Sequence, residues 1–151
     1  MSGIYAWRSG SFLTVTTGTD VALSGVGSQR PNQALASPYA DNKLAPSGAQ
    51  GFLAYLNRAA FQNPALGTLG NMGRNNIDGP SFFNFDLALS RVFRVRESQR
   101  LEVRAEAFNV TNSLRPGNPS LSLTSPTFGV INQSATGAEP RIMQFALKYV
   151  F

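Results

Sequence analysis

Hydrophobic and polar residues alternate with a period of two in three well-separated stretches, which is the signature of strands with one apolar and one polar face. From Phe82 to Arg96, Phe83, Phe85, Leu87, Leu89, Phe93 and Val95 alternate with Asn84, Asp86, Ala88, Ser90, Arg94 and Arg96. From Arg100 to about Asn112, Leu101, Val103, Ala105 and Ala107 point one way and Arg100, Glu102, Arg104 and Glu106 the other. From Arg141 to Phe151, Met143, Phe145, Leu147, Tyr149 and Phe151 oppose Gln144, Ala146, Lys148 and Val150. A further strand is expected from about Ile4 to Thr16, whose second half, Ser11-Phe12-Leu13-Thr14-Val15-Thr16, is rich in β-formers.

Spacing orders these strands. Only Glu97-Ser98-Gln99 separates the second from the third, which is hairpin length, whereas about 17–81 and 113–140 are far longer than ordinary connections. Short turns at one end, long loops at the other and strands of roughly ten residues or more match a tilted antiparallel sheet that crosses a bilayer. With the Glu97 turn at the periplasmic end, the second strand runs inward, the third outward and the fourth inward, and Phe151 ends at the periplasmic rim. Within the first long loop, Phe52, Tyr55, Leu56 and Ala59 have i, i+3, i+4, i+7 spacing and predict a short packing helix.

Composition narrows the chemistry. The 151 residues include 42% hydrophobic and only 14% charged residues, below the roughly 25% charged usual in soluble domains. The net charge of +5 does not imply a nucleic-acid partner, because Arg91, Arg94, Arg96, Arg100 and Arg104 are interleaved with Glu97, Glu102 and Glu106. There is no cysteine and no histidine, which removes disulfides, thiolate nucleophiles, the commonest metal ligand and the commonest general base. No enzymatic activity, catalytic residue, cofactor or metal site is expected. No window has the roughly 18 apolar residues of a transmembrane helix. No signal peptide is visible at Met1–Arg8, so an outer-membrane reading places the natural N-terminus upstream.

Several blocks, taken in order, carry a resemblance. They are Gly67-Thr68-Leu69-Gly70-Asn71-Met72-Gly73-Arg74-Asn75, Gly79 to Ser90, Arg100-Leu101-Glu102-Val103-Arg104-Ala105-Glu106-Ala107-Phe108-Asn109, Ser125-Pro126-Thr127-Phe128-Gly129, and Pro140 to Phe151. Together they resemble the C-terminal β-barrel segment of Oar-like TonB-dependent receptors, and Ser9 to Thr17 looks like that family's preceding strand. The resemblance implies an all-β fold of antiparallel strands with long loops. These would be the last four strands of an outer-membrane β-barrel (about 4–16, 82–96, 100–112 and 141–151), incomplete as an isolated chain. It also implies active uptake of a substrate, with the rest of the barrel, the plug and the TonB-contacting segment lying outside residues 1–151.

Two sets of residues follow from it as candidates. Phe145, Leu147, Tyr149 and Phe151 resemble the C-terminal strand signal read by the barrel assembly machinery. Arg100, Glu102, Arg104 and Glu106 form a candidate lumen face, whose bland reading is a wetted sheet face with cross-strand pairs of roughly 0.2–1 kcal/mol each. The expected partners are outer-membrane lipid, the assembly machinery, the remaining barrel and plug, and TonB. The main alternative is a self-associating structural or adhesive all-β protein that pairs through open sheet edges, and a third is a soluble carbohydrate-binding sandwich.

Other features read as ordinary loops. Gly25-Val26-Gly27-Ser28-Gln29-Arg30 has Arg where a dinucleotide fingerprint needs its third glycine. Asp20, Asp41 and Asp78 lack the dense spacing of a calcium loop, and the sequon Asn109-Val110-Thr111 falls in a strand. Arg74, Arg115 and the Phe82-Phe83 pair are candidate ligand contacts in or beside the loops.

Overall fold

A computed structural model describes residues 1–47 and 53–151. In chain order its elements are β1 (Ser2–Arg8), β2 (Phe12–Leu13), β3 (Asn32–Gln33), β4 (Leu53–Ala54), a 3-10 turn (Arg58–Ala60), β5 (Phe61–Gln62), β6 (Ile77–Asp78), β7 (Phe82–Arg96), β8 (Gln99–Phe108), β9 (Val130–Ile131) and β10 (Ile142–Val150). The fold is all-β, as the alternation predicts. The chain divides into two compact units, one of Met1–Arg8, Ser81–Arg115 and Gly137–Phe151, the other of Ser9–Pro80 and Pro116–Thr136.

The first unit is a four-stranded antiparallel sheet in the order β1-β7-β8-β10, open at both outer strands. Leu87 pairs with Ala107, and Leu101 in turn pairs with both Phe93 and Tyr149, so the three predicted alternations lie in one register. Glu97 and Ser98 alone make the turn, because β8 begins at Gln99, one residue before the expected start. Neither turn residue has positive φ, so this is not the primed turn whose twist matches a hairpin. A register shift between Arg94 and Arg96 accompanies it, and such a bulge adds local right-handed twist. Both long connections leave from the opposite end, where Arg8 pairs with Phe82 and Phe108 with Ile142.

Strand ends correct the expectation in two places. The expected strand 4–16 is divided: β1 stops at Arg8, and Phe12–Leu13 pairs instead with Ile77–Asp78 in the second unit. Ser9-Gly10-Ser11 is the break, and a Cβ on Gly10 would overlap the Gly79 carbonyl, so only glycine permits the backbones to approach there. The third strand ends at Phe108 rather than near Asn112, because Asn109 and Asn112 adopt positive φ (51° and 50°), which no strand tolerates. Asn109 is 3% exposed; its Nδ2 donates to the Ser113 and Glu139 carbonyls at 3.2 and 3.1 Å, and its Oδ1 accepts from Ser113 N at 2.9 Å. The residue that looked like a sequon is a latch that closes the end of β8.

The second unit is built from the end of the first expected strand and from the two long connections. Three two-stranded ladders, β2-β6, β3-β5 and β4-β9, tie the first long connection to itself and to the second. Their side chains enclose a core of Val15, Leu56, Phe61, Ile77, Phe128 and Ile131 among others, with Phe61 and Phe128 in edge contact at 5.3 Å between ring centroids. The helix expected through Tyr55, Leu56 and Ala59 does not form: Leu53–Ala54 is strand, and Arg58–Ala60 is one 3-10 turn with Asn57 as its cap. Phe52, the first position of that expected helix, lies outside the described residues. Gly129, at φ 75°, presents its carbonyl to both Tyr55 N and Leu56 N at 2.9 Å, which holds the two long connections together.

Candidate membrane interface

Partners directly opposite in an antiparallel ladder project to the same face, so the register assigns every side chain of the sheet. One face carries Trp7 with Phe83, Tyr5 with Phe85, Leu87 with Ala107 and Met143, Leu89 with Ala105 and Phe145, Val103 with Leu147, and Phe93 with Leu101 and Tyr149. All of the alternating apolar positions from Phe83 to Phe93 and from Leu101 to Tyr149 therefore converge on it. Tyr5 and Trp7 complete it, and sequence reasoning missed them because seven residues of β1 alternate too weakly to reveal a face. This face has nothing packed on it within the sheet unit: Phe145 is 76% exposed and Leu147 71%. From Phe83 to Phe93 it runs for about 34 Å along the strand, at roughly 3.4 Å per residue. Tilted by roughly 40°, it rises about 26 Å, close to the apolar band of an outer-membrane barrel.

The other face carries most of the charges, with Ile4, Phe82, Val92, Phe108, Ile142 and Val150 among them. Arg100, Glu102, Arg104 and Glu106 share it with Asn84, Asp86, Ser90, Gln144 and Lys148. Arg104 donates through Nε to Glu106 Oε1 at 3.0 Å, and Lys148 stands opposite Glu102. Arg94 stands opposite Arg100, a like-charge pair that disfavours the ladder at this point. Near the far end, the Phe82 ring has the Arg8 guanidinium 5.8 Å and the Arg115 guanidinium 5.3 Å from its centroid. Of the candidate ligand contacts, Phe82 and Arg115 thus meet, Phe83 lies on the apolar face, and Arg74 is in the second unit.

Comparison with protein families decides what this two-faced sheet is part of: residues 1–144 match the model described as outer membrane beta barrel domain. The chain belongs to that family. No curated protein and no solved structure matches it. As an outer-membrane barrel domain it has a physical reason for an uncovered apolar face, since lipid replaces the second layer that a soluble sheet needs. No helix among the described residues is long and apolar enough to cross a membrane, and the barrel domain crosses with strands.

The remaining candidate residues are placed as follows. Phe145, Leu147 and Tyr149 line the apolar face of β10, which is paired with β8 on one side only. Phe151 lies just beyond it, 91% exposed, with its ring 6.0 Å from that of Tyr149. Asp20, Asp41 and Asp78 do not converge, and among the described residues no three acidic side chains are placed to hold a metal. Asp20 instead staples its own loop by accepting from Ser24 N, Gly25 N and Gln29 Nε2 at 3.0, 2.6 and 2.6 Å, and the Ser24 hydrogen bond foremost holds its pKa down. Asp78 serves through its backbone: its N–H donates to the Tyr39 hydroxyl at 2.9 Å, and its carbonyl accepts from the Tyr55 hydroxyl at 2.7 Å.

Proposed function

We propose that the barrel domain is the C-terminal segment of a TonB-dependent receptor, an outer-membrane transporter that actively takes up a substrate, and that the chain has neither transport nor enzymatic activity alone. The observation that carries this is the meander β7-β8-β10, apolar on one face and polar on the other, whose long connections all leave from one end. The order of the Oar-like blocks from Gly67 to Phe151 supports the finer assignment. In this reading Arg100, Glu102, Arg104 and Glu106 line the lumen. Phe145, Leu147, Tyr149 and Phe151 present the strand that the assembly machinery reads, and the rest of the barrel, the plug and TonB are the partners. The DNA upstream of the Met1 codon tests it. An in-frame continuation encoding further strands, a plug and a TonB-contacting segment is expected, and an upstream stop codon with a promoter would overturn it.

A second reading rests on a specific observation, the open edges of β1 and β10, which leave backbone donors and acceptors free to pair with other copies. A bilayer-spanning sheet must satisfy them by closing, and β1 and β10 do not pair with each other. Light scattering in detergent separates the two. Ordered growth of multimers favours the self-associating structural protein, and loss of the multimers on supplying the missing strands favours the receptor segment.

A further inference from the structure

One charged side chain stands within the regular alternation of the apolar face. Arg91 lies opposite Val103, which lies opposite Leu147, and a guanidinium among such neighbours is costly in hydrocarbon unless it reaches the headgroup layer. Its direction answers that requirement. The guanidinium carbon sits 5.1 Å from the centre of the Phe93 ring, so the side chain runs toward the Glu97–Ser98 turn and away from the middle of the face. Such a course lets an arginine bury its stem in the apolar layer and hold its charge at the interface.

The bulge brings a second cation to the same end of the sheet. In an unbroken strand Arg96 would share the polar face with Arg94, but the shift after Arg94 sets Arg96 opposite Gln99, which belongs with Leu101 and Val103 on the apolar face. Phe93 and Tyr149 lie between the two arginines at the level where amphipathic and aromatic side chains gather in barrel girdles. Neither arginine has a carboxylate partner among the described residues. Beside Arg91 a shallow groove of about 330 Å³ is lined by Leu89, Phe93, Val103 and Ala105, and Ala105 leaves the notch between its large neighbours Leu89 and Phe145.

We propose that Arg91 binds the phosphate of an anionic glycerophospholipid in the leaflet at the hairpin end, with an acyl chain of that lipid in the groove floored by Ala105. The inference rests on the membrane reading of the apolar face. Guanidinium is suited to the task because its planar fork gives two parallel hydrogen bonds to phosphate oxygens.

The test uses the chain in zwitterionic detergent micelles, with Trp7→Phe removing the native indole and Tyr149→Trp reporting from the site. Phosphatidylglycerol brominated on its acyl chain should quench this reporter at about fivefold lower mole fraction than brominated phosphatidylcholine. Arg91→Gln should abolish the preference, Arg91→Lys should keep most of it, and Lys148→Gln, on the opposite face, should leave it intact. Removing a charge from an apolar face favours insertion, so the glutamine variant is expected to fold. Raising the salt concentration on the unsubstituted Arg91 chain gives an independent measure, since the preference should fall. Equal quenching by both lipids before any substitution, or displacement of the lipid by inorganic phosphate at a concentration where sodium chloride of equal ionic strength leaves it bound, would overturn the lipid site while leaving the membrane reading in place. No quenching by either lipid would overturn both.

Discussion

Placing an arginine at Phe145, at Tyr149 or at Gln144 asks the same question at three points of the sheet. Phe145 shares its rung with Leu89 and Ala105, six residues from Phe83 and four from Phe93, which puts it near the middle of the apolar band. Tyr149 shares the rung of Phe93 at the rim, and Gln144 adjoins Phe145 on the polar face. A lipid-facing arginine costs about 2–4 kcal/mol at the bilayer midplane and about 0–1 kcal/mol near the interface. Phe145→Arg should therefore destabilise by about 3 kcal/mol, Tyr149→Arg by under about 1 kcal/mol, and Gln144→Arg by about as little. Because the Phe145 side chain is 76% exposed within the sheet, lost protein packing contributes little to the first value, and lipid contributes most of it. Urea unfolding from bilayer vesicles, followed by heat-modifiable gel mobility, measures all three. Equal costs at Phe145 and Gln144 would refute the assignment of faces, and equal costs at Phe145 and Tyr149 would refute the depth scale.

Cysteines at positions 147 and 148 should differ sharply in labelling by a water-soluble reagent in membranes, with Lys148→Cys labelled and Leu147→Cys protected. In the second unit, Gly129→Ala adds a left-handed penalty and a Cβ 2.7 Å from the Leu56 carbonyl, so it should cost about 2–4 kcal/mol. Gly25→Ala, at φ 81° with open space around it, should cost only about 1 kcal/mol, and urea unfolding by near-ultraviolet circular dichroism compares the two. Burial, followed by the neighbouring Tyr39 and Asp78, pushes the Tyr55 phenol up to about 12. Its stabilisation is therefore complete below the unfolded phenol value of roughly 10 and is lost as pH rises toward 12. Absorbance titration should show one late phenolate, absent in Tyr55→Phe. Deleting Phe151, or making Tyr149 and Phe151 polar together, should impair membrane insertion of a full-length parent more than a polar change at Leu87 or Val103. Membrane fractionation decides it, and normal insertion without Phe151 would remove the recognition role.

Legibility in the sequence followed the length of the repeat. The fifteen residues of β7 and nine of β10 gave alternation enough to read both faces, and the hairpin turn was misplaced by only one residue. Two-residue strands such as β3 and β9 have no period to read, so most of the second unit was visible only as long connections. The apparent helical stripe at Tyr55, Leu56 and Ala59 was a coincidence of spacing that ladder pairing overrode. Arg91 was hidden for the opposite reason. It breaks the alternation of β7 at one position on the face of Leu89 and Phe93, and the register adds that its neighbour across the sheet is Val103.

The two units bury apolar surface in opposite ways, and the contrast bears on how the chain must fold. Val15, Phe61 and Ile77 in the second unit are at most 2% exposed, so its contacts form within the chain and need no membrane. Trp7, Phe145 and Leu147 in the sheet are more than 60% exposed, so its apolar face is stabilised only where hydrocarbon covers it. The strands that pair in the sheet are distant in sequence at the β1-β7 step and adjacent at the β7-β8 hairpin, so hairpin formation carries the smaller loop-closure cost. On the proposed membrane reading, the apolar residues separate into a chain-buried set in the second unit and a lipid-facing set in the sheet.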